Sequence, residues 1–324
     1  MAAPFVLQHA LPTSSRLVFG CMGLGGSWDA SPITAQHVQE AQAAVEAALE
    51  IGITLFDHAD IYTLGKAEQV FGTLLRQQPG LRERILLQSK CSIRFPDDHG
   101  PQRYDQSRDY LLTSVDGILS RLGVEYLDVL LLHRPDPLME PDEVAEAWLQ
   151  LKQSGKVRHL GVSNMHSGQM ALLQRSLPDP LRVNQLEMSL LRHDWVDHGT
   201  CFNDEQSRGL RSWGDTLDYC RLHDVQVQAW SPLAQGWFSG ALPADATPAV
   251  QQTARLVSEL AAKHQTSAES IVLAWLLRHP AGIQPVIGTR HPDRVRACGD
   301  ATRISLSREE WYQLYLTVRG RRLP

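Results

Sequence analysis

Short apolar, β-rich runs alternate with amphipathic helical stretches along almost the whole chain, and this alternation constrains the fold more than any other feature. The strand-like runs are Arg16–Gly20, Thr54–His58, Ile85–Lys90, Leu127–Arg134, Val157–Asn164, Arg182–Glu187, Val225–Ser231 and Gln284–Gly288. Between them the apolar period lengthens to that of a helix over Thr34–Ile51, Ala67–Arg76, Asp105–Leu122, Pro141–Ser154, Ser167–Ser176, Leu210–His223, Thr253–His264 with Ala268–Arg278, and Pro292–Asp300. Start signals support several helices: Ser31-Pro32 precedes the first, Pro141-Asp142-Glu143 opens the fourth, and Ser267 stands as an N-cap before Glu269.

Runs such as Leu127-Asp128-Val129-Leu130-Leu131-Leu132 are nearly continuous in apolar residues, as expected of strands covered on both faces of a parallel sheet. Eight strand–helix units predict an α/β chain folded as a (β/α)8 TIM barrel spanning residues 1–324 as one domain. An N-terminal strand segment, a long loop over Arg192–Gly209 after strand six and an extra C-terminal helix, Ser307–Arg319, complete the expected architecture. The rival is a doubly wound open sheet, which carries a Gly-x-Gly-x-x-Gly turn after an early strand. Gly20, Gly23 and Gly25 are wrongly spaced for it.

The 31 basic and 36 acidic side chains are scattered and give a net charge of −5, so nothing suggests a nucleic-acid or anionic-membrane surface. Five dispersed cysteines, without zinc spacing, argue against a disulfide framework or a metal site. No leader pattern opens the chain and no apolar stretch approaches the roughly 20 residues of a membrane span, so a cytoplasmic location is expected. No apolar surface stripe is evident, and a monomer is the expectation.

In a barrel the reacting groups come from the C-terminal ends of several strands. Here Asp57, Lys90 and His133 each end an apolar run, and Tyr62 follows Asp57 by five residues. A buried lysine is costly without a partner, and an aspartate at the neighbouring strand end supplies one. The ordered set Asp57, Tyr62, Lys90, His133 resembles the catalytic tetrad of the aldo-keto reductase family. Residues 55–62 (LFDHADIY), 85–91 (ILLQSKC), 127–137 (LDVLLLHRPDP), 154–164 (SGKVRHLGVSN), 183–188 (VNQLEM), 229–233 (AWSPL) and 286–288 (VIG) resemble successive motifs of that family in the right order. The runs around Arg134-Pro135-Asp136-Pro137 and Ser154–His159 are most similar to its bacterial YdhF-type oxidoreductases.

The resemblance implies reduction of aldehydes or ketones to alcohols with NADPH/NADP+, with a small-molecule carbonyl substrate and no metal. Tyr62 is then the general acid, Lys90 the cation that lowers its pKa, Asp57 the partner of Lys90, and His133 the group that orients the carbonyl. It further implies that Asp57 also lies at the cofactor, that Ser163, Asn164 and Gln185 hold the nicotinamide carboxamide, and that Trp230 stacks on the ring. Met22 and Gly23 would line the cofactor site, Ser231, Pro232, Leu233 and Gly236 would cradle the pyrophosphate, Gly288 would lie at the phosphate site after strand eight, and Arg294, with Thr289 and Arg290 beside it, would meet the 2′-phosphate. Trp28, Leu24 and Arg134 are the expected substrate contacts.

The chain departs from the family pattern at Thr63, where glycine is common, at Ala297-Cys298, where Glu-Asn is common, and in the length of Arg192–Gly209, read either as a loop over cofactor or substrate or as a disordered insertion. Two other readings stand beside the enzyme: a catalytically weak NADP-binding regulatory or redox-sensing protein of the same fold, and a metal-dependent barrel hydrolase using His58 and Asp60.

Overall fold

The computed structural model describes residues 5–98, 100–209 and 214–324. Eight parallel strands close into a barrel: β1 (Val18–Gly20), β2 (Leu55–Asp57), β3 (Leu86–Cys91), β4 (Leu127–Leu132), β5 (Val157–Ser163), β6 (Val183–Glu187), β7 (Gln226–Trp230) and β8 (Gln284–Ile287). Closure is made by β8 on β1, with Val18 opposite Val286 and Phe19 opposite Ile287. Seven strands lie within the expected runs, β3 extends one residue past its run to Cys91, and the helices follow in the expected order.

The continuous apolar runs are explained by burial on both faces. Val129 and Leu131 of β4 point into the barrel with Leu55, Leu86, Val183 and Val286, whereas Leu130 and Leu132 pack outward against the helical layer. Ahead of β1, Val6–His9 forms one 3-10 turn that closes the barrel floor. Phe5, Leu7 and Leu11 join the inner apolar cluster, and the Leu7 amide donates to Gln226 Oε1 at 3.2 Å.

Local chemistry moves several helix ends. The helix expected from Asp105 starts at Arg108, because Asp105 spends its carboxylate on Ser107 and Arg94. The helix expected from Thr253 starts at Pro248, with Thr247 as its N-cap. A two-stranded hairpin, Ile93–Arg94 with Arg103–Tyr104, follows β3 and was not expected from such short polar runs. The helix expected over Leu210–His223 is seen as Thr216–Leu222, residues 210–213 lying outside the described part.

The expected long loop Arg192–Gly209 is not a disordered insertion. It contains the helix Asp194–Thr200 and a 3-10 turn at Glu205–Ser207. Arg319 of the last helix, Arg308–Arg319, donates from Nε to Asp197 Oδ1 at 2.9 Å and from Nη2 to Gln206 Oε1 at 2.8 Å. Tyr315 Oη donates to Asp197 as well. The terminal helix therefore fastens the segment to the body, and Trp275 and Trp311, stacked at 5.2 Å, fasten the helix.

Candidate active site

Strand periodicity of two builds the site. In β3, Leu86, Gln88 and Lys90 face inward, and Ser89 faces out to donate to the buried Glu68 at 2.7 Å. Lys90 thus emerges at the upper end of the barrel one strand away from Asp57, which ends β2.

Every donor of the Lys90 ammonium is used. Nζ donates to Asp57 Oδ2 at 2.6 Å, to the His58 carbonyl at 2.9 Å and to Tyr62 Oη at 3.0 Å. Burial alone would lower the lysine pKa, but Asp57 and Tyr62 outweigh it and hold the value above the ordinary one. The second Asp57 oxygen, Oδ1, accepts from Gln88 Nε2 at 2.6 Å and from Gln185 Nε2 at 3.1 Å. Burial pushes Tyr62 above the ordinary phenol value, with Lys90 pulling the other way and Asp57 adding to the rise. The expected downward pull of Lys90 on Tyr62 is present, and desolvation of the hydroxyl outweighs it.

The His133 ring stands edge-on to Tyr62, 6.0 Å between centroids. Burial and the charges of Lys90 and Arg134 hold its pKa well below the imidazole value, so the ring is neutral. Arg134, half-buried, lies over the Trp230 ring at 5.9 Å. Asn164, at φ +60°, accepts from Trp230 Nε1 at 3.1 Å and donates to Ser163 Oγ at 2.8 Å, while Ser163 donates to the Gln185 carbonyl at 2.8 Å. Asp57, Tyr62, Lys90, His133, Ser163, Asn164, Gln185 and Trp230 thus form one connected group.

The loop after β7 is folded through left-handed backbone at Ser231, Ala234, Gln235 and Gly236, with φ between +47° and +84°. A side chain at Gly236 would collide with Arg294, whose Nη2 would lie 2.8 Å from its Cβ. The loop after β7 therefore meets the helix Pro292–Ala297 that follows β8, at Gly236 and Arg294. Arg294 is 3.7 Å from Glu269, and Arg290 turns to Glu40 at 3.6 Å. Gly23 approaches the Gly288 carbonyl. Met22 and Trp28 are exposed on the loop after β1.

Leu24 is a correction. Expected to face substrate, its side chain packs in the core, and its carbonyl accepts from Thr63 Oγ1 at 2.9 Å. Thr63 itself is buried at φ +46°, a costly conformation for a β-branched residue, where a glycine would rest without strain. Lys66 ties the same loop down through Asp29 at 3.0 Å. At the other departure from the family pattern, Cys298 is buried and the Ala297 carbonyl accepts from Ser270, so neither side chain replaces the usual polar pair.

His58 and Asp60 do not make a metal site: no group of three or more metal-ligating side chains comes together among the described residues. Both His58 ring nitrogens are buried without partners, the ring packs edge-on to Phe71 at 4.6 Å, and burial with the Lys90 charge lowers its pKa from 6.5 to about 3. A histidine neutral when folded and protonated when unfolded contributes stability above its unfolded value, and that stability is lost as pH falls from about 6.5 toward 3. Asp60, raised to about 7 by burial and Glu68, works in the opposite direction over the overlapping range. Thermal melts should show His58→Leu losing less stability than the parent between pH 6.5 and pH 4, a difference on the order of a few kcal/mol. Parallel profiles would show that the histidine ionises in place.

The Aldo/keto reductase family model matches residues 16–315. A 6-dehydroglucose reductase of Agrobacterium fabrum is 37% identical over 95% of either chain, and the oxidoreductase YdhF of Escherichia coli is 36% identical over 97% of this chain and 96% of its own. An aldo-keto reductase from Klebsiella pneumoniae, crystallised with NADPH, superposes with a TM-score of 0.73 at 27% identity, covering 96% of this chain and 95% of its own. No helix among the described residues is long and apolar enough to cross a membrane. A closed eight-stranded barrel, a family model matched over residues 16–315 and relatives matched over nearly their whole length lead to one assignment: the chain belongs to the aldo/keto reductase family and is an oxidoreductase.

Proposed function

We propose that this protein reduces aldehydes or ketones to alcohols with NADPH, using Tyr62 as the proton donor. One observation carries the reading: Tyr62 Oη lies 3.0 Å from a lysine that is itself locked to Asp57 at 2.6 Å, beside a neutral histidine at the barrel mouth. Tyr62 donates the proton to the developing alkoxide. Lys90 stabilises the phenolate left behind, and Asp57 balances the lysine charge in the enclosed site. Neutral His133 donates a hydrogen bond to the carbonyl oxygen, and Arg134 meets the polar groups of the substrate, with Trp28 as an outer wall.

The residues present fit a nicotinamide dinucleotide. Four residues in left-handed backbone after β7, three of them not glycine, are the kind of strain kept at ligand sites, and they present amides to the pyrophosphate. Asn164 and Ser163 are held for the carboxamide, as is Gln185, whose Oε1 accepts from no described residue, and Trp230 offers a ring face. NADPH supplies the hydride when bound. In this reading Met22, Gly23, Pro232, Leu233, Gly288 and Thr289 would border the bound dinucleotide, and Arg290 and Arg294 would take its 2′-phosphate.

Removing one charge-assisted contact in Arg294→Met should raise the KM for NADPH about tenfold while leaving that for NADH within about twofold. Equal changes for the two cofactors would remove Arg294 from 2′-phosphate recognition.

A further inference from the structure

Barrel interiors are ordinarily filled by Val, Ile and Leu. Here the layer beneath Asp57 is built from Gln88, Gln185, Gln228 and Gln284, each at most 2% exposed. Buried amides are tolerated only when satisfied, so such a layer asks what it is for.

The bonds answer it in one direction. At the floor, Gln284 Nε2 donates to the Ser15 carbonyl at 2.6 Å and to Ser14 Oγ at 3.2 Å. A backbone carbonyl only accepts, which fixes the Gln284 amide and leaves its oxygen facing Gln228. Gln228 Nε2 donates to that oxygen at 3.0 Å and to Gln88 Oε1 at 3.2 Å. Its own oxygen then accepts from Gln88 Nε2 at 2.8 Å and from Gln185 Nε2 at 3.0 Å. Both amide nitrogens have one N–H left, and both deliver it to Asp57 Oδ1. Had either amide been reversed, it would face the carboxylate with an oxygen.

We propose that Gln88, Gln228 and Gln284 are positioning residues: an amide chain running from the Ser15 carbonyl up to Asp57 holds that carboxylate with Oδ2 aimed at Lys90. The N-terminal segment is thereby part of the site's support, although it touches neither substrate nor cofactor. The proposal rests on the reductase reading above, with Asp57 acting through Lys90 on Tyr62.

The test is the steady-state kinetics of Gln228→Met with 4-nitrobenzaldehyde and NADPH, set against Gln226→Met. Gln226 is an equally buried glutamine of the same strand, bonded to Leu7 and Gly282 and outside the chain to Asp57. Loss of carboxylate aim should lower kcat about tenfold in Gln228→Met, with KM and NADPH affinity within about twofold and Gln226→Met near the parent. Equal kcat values in the two variants would overturn the proposal, leaving the layer as packing alone. If Gln228→Met does not fold, Gln284→Met cuts the chain one link lower, and a kcat loss of about threefold against the same control is expected, with equality again overturning it. Tyr62→Phe, assayed alongside, separates the two levels: its full activity would defeat the reductase reading itself, whereas its inactivity with an unaffected Gln228→Met defeats only the chain.

Discussion

Tyr62→Phe should lose carbonyl reduction by about 10²- to 10⁴-fold while binding NADPH as the parent does. The substitution removes one oxygen, the hydroxyl that both carries a transferable proton and accepts from Lys90 at 3.0 Å. His133 is a poor substitute: with its pKa held far below neutrality, its neutral ring donates a hydrogen bond but is a weak proton source. The phenyl ring retains its edge contact with His133, so stability should change little. Fluorescence titration with NADPH alongside turnover separates lost chemistry from lost binding. Turnover within tenfold of the parent would require another acid.

Lys90→Met should damage both activity and stability. The ammonium holds three oxygens together, and its removal leaves Asp57, 2% exposed, as a carboxylate without its cation. Breaking a buried ion pair from one side costs about 3–5 kcal/mol, and loss of the cation beside Tyr62 should slow reduction on the order of 10²-fold or more. The double variant Asp57→Asn/Lys90→Met removes both charges and should recover much of the stability, read by denaturant unfolding, and none of the turnover. A double variant as unstable as the single would show that the ion pair is not the source of the loss.

The reading of the sequence succeeded where geometry is local. Continuous apolar runs placed all eight strands, and the rule that strand ends carry the chemistry placed Asp57, Lys90 and His133 on one rim. The resemblance added Ser163, Asn164, Gln185 and Trp230, which do connect to that rim. The glutamine layer was legible in principle, since Gln88 stands two residues before Lys90 and must share its face. Its meaning was not, because the partners Gln228 and Gln284 lie 140 and 196 positions farther along.

The anchoring of the Arg192–Gly209 segment was hidden for a similar reason. Its polarity suggested a loop, and only the fold reveals that Asp197 answers Arg319, 122 residues later. Leu24 was misplaced because a loop residue can turn its side chain into the core and offer only its carbonyl. Tyr62 shows the limit for electrostatics: a neighbouring cation can be inferred from order along the chain, whereas the opposing desolvation depends on how tightly the site encloses the hydroxyl.

The most direct measurement follows deuterium. Protein supplied with NADPH carrying deuterium at both hydrogens of nicotinamide C4 and with 4-nitrobenzaldehyde should yield one deuterated benzylic alcohol for each cofactor consumed, detected by mass spectrometry, and Tyr62→Phe should yield almost none. Tight cofactor binding with no deuterated alcohol from any of a broad panel of aldehydes and ketones would contradict the reductase and leave a barrel that binds NADP without turning it over.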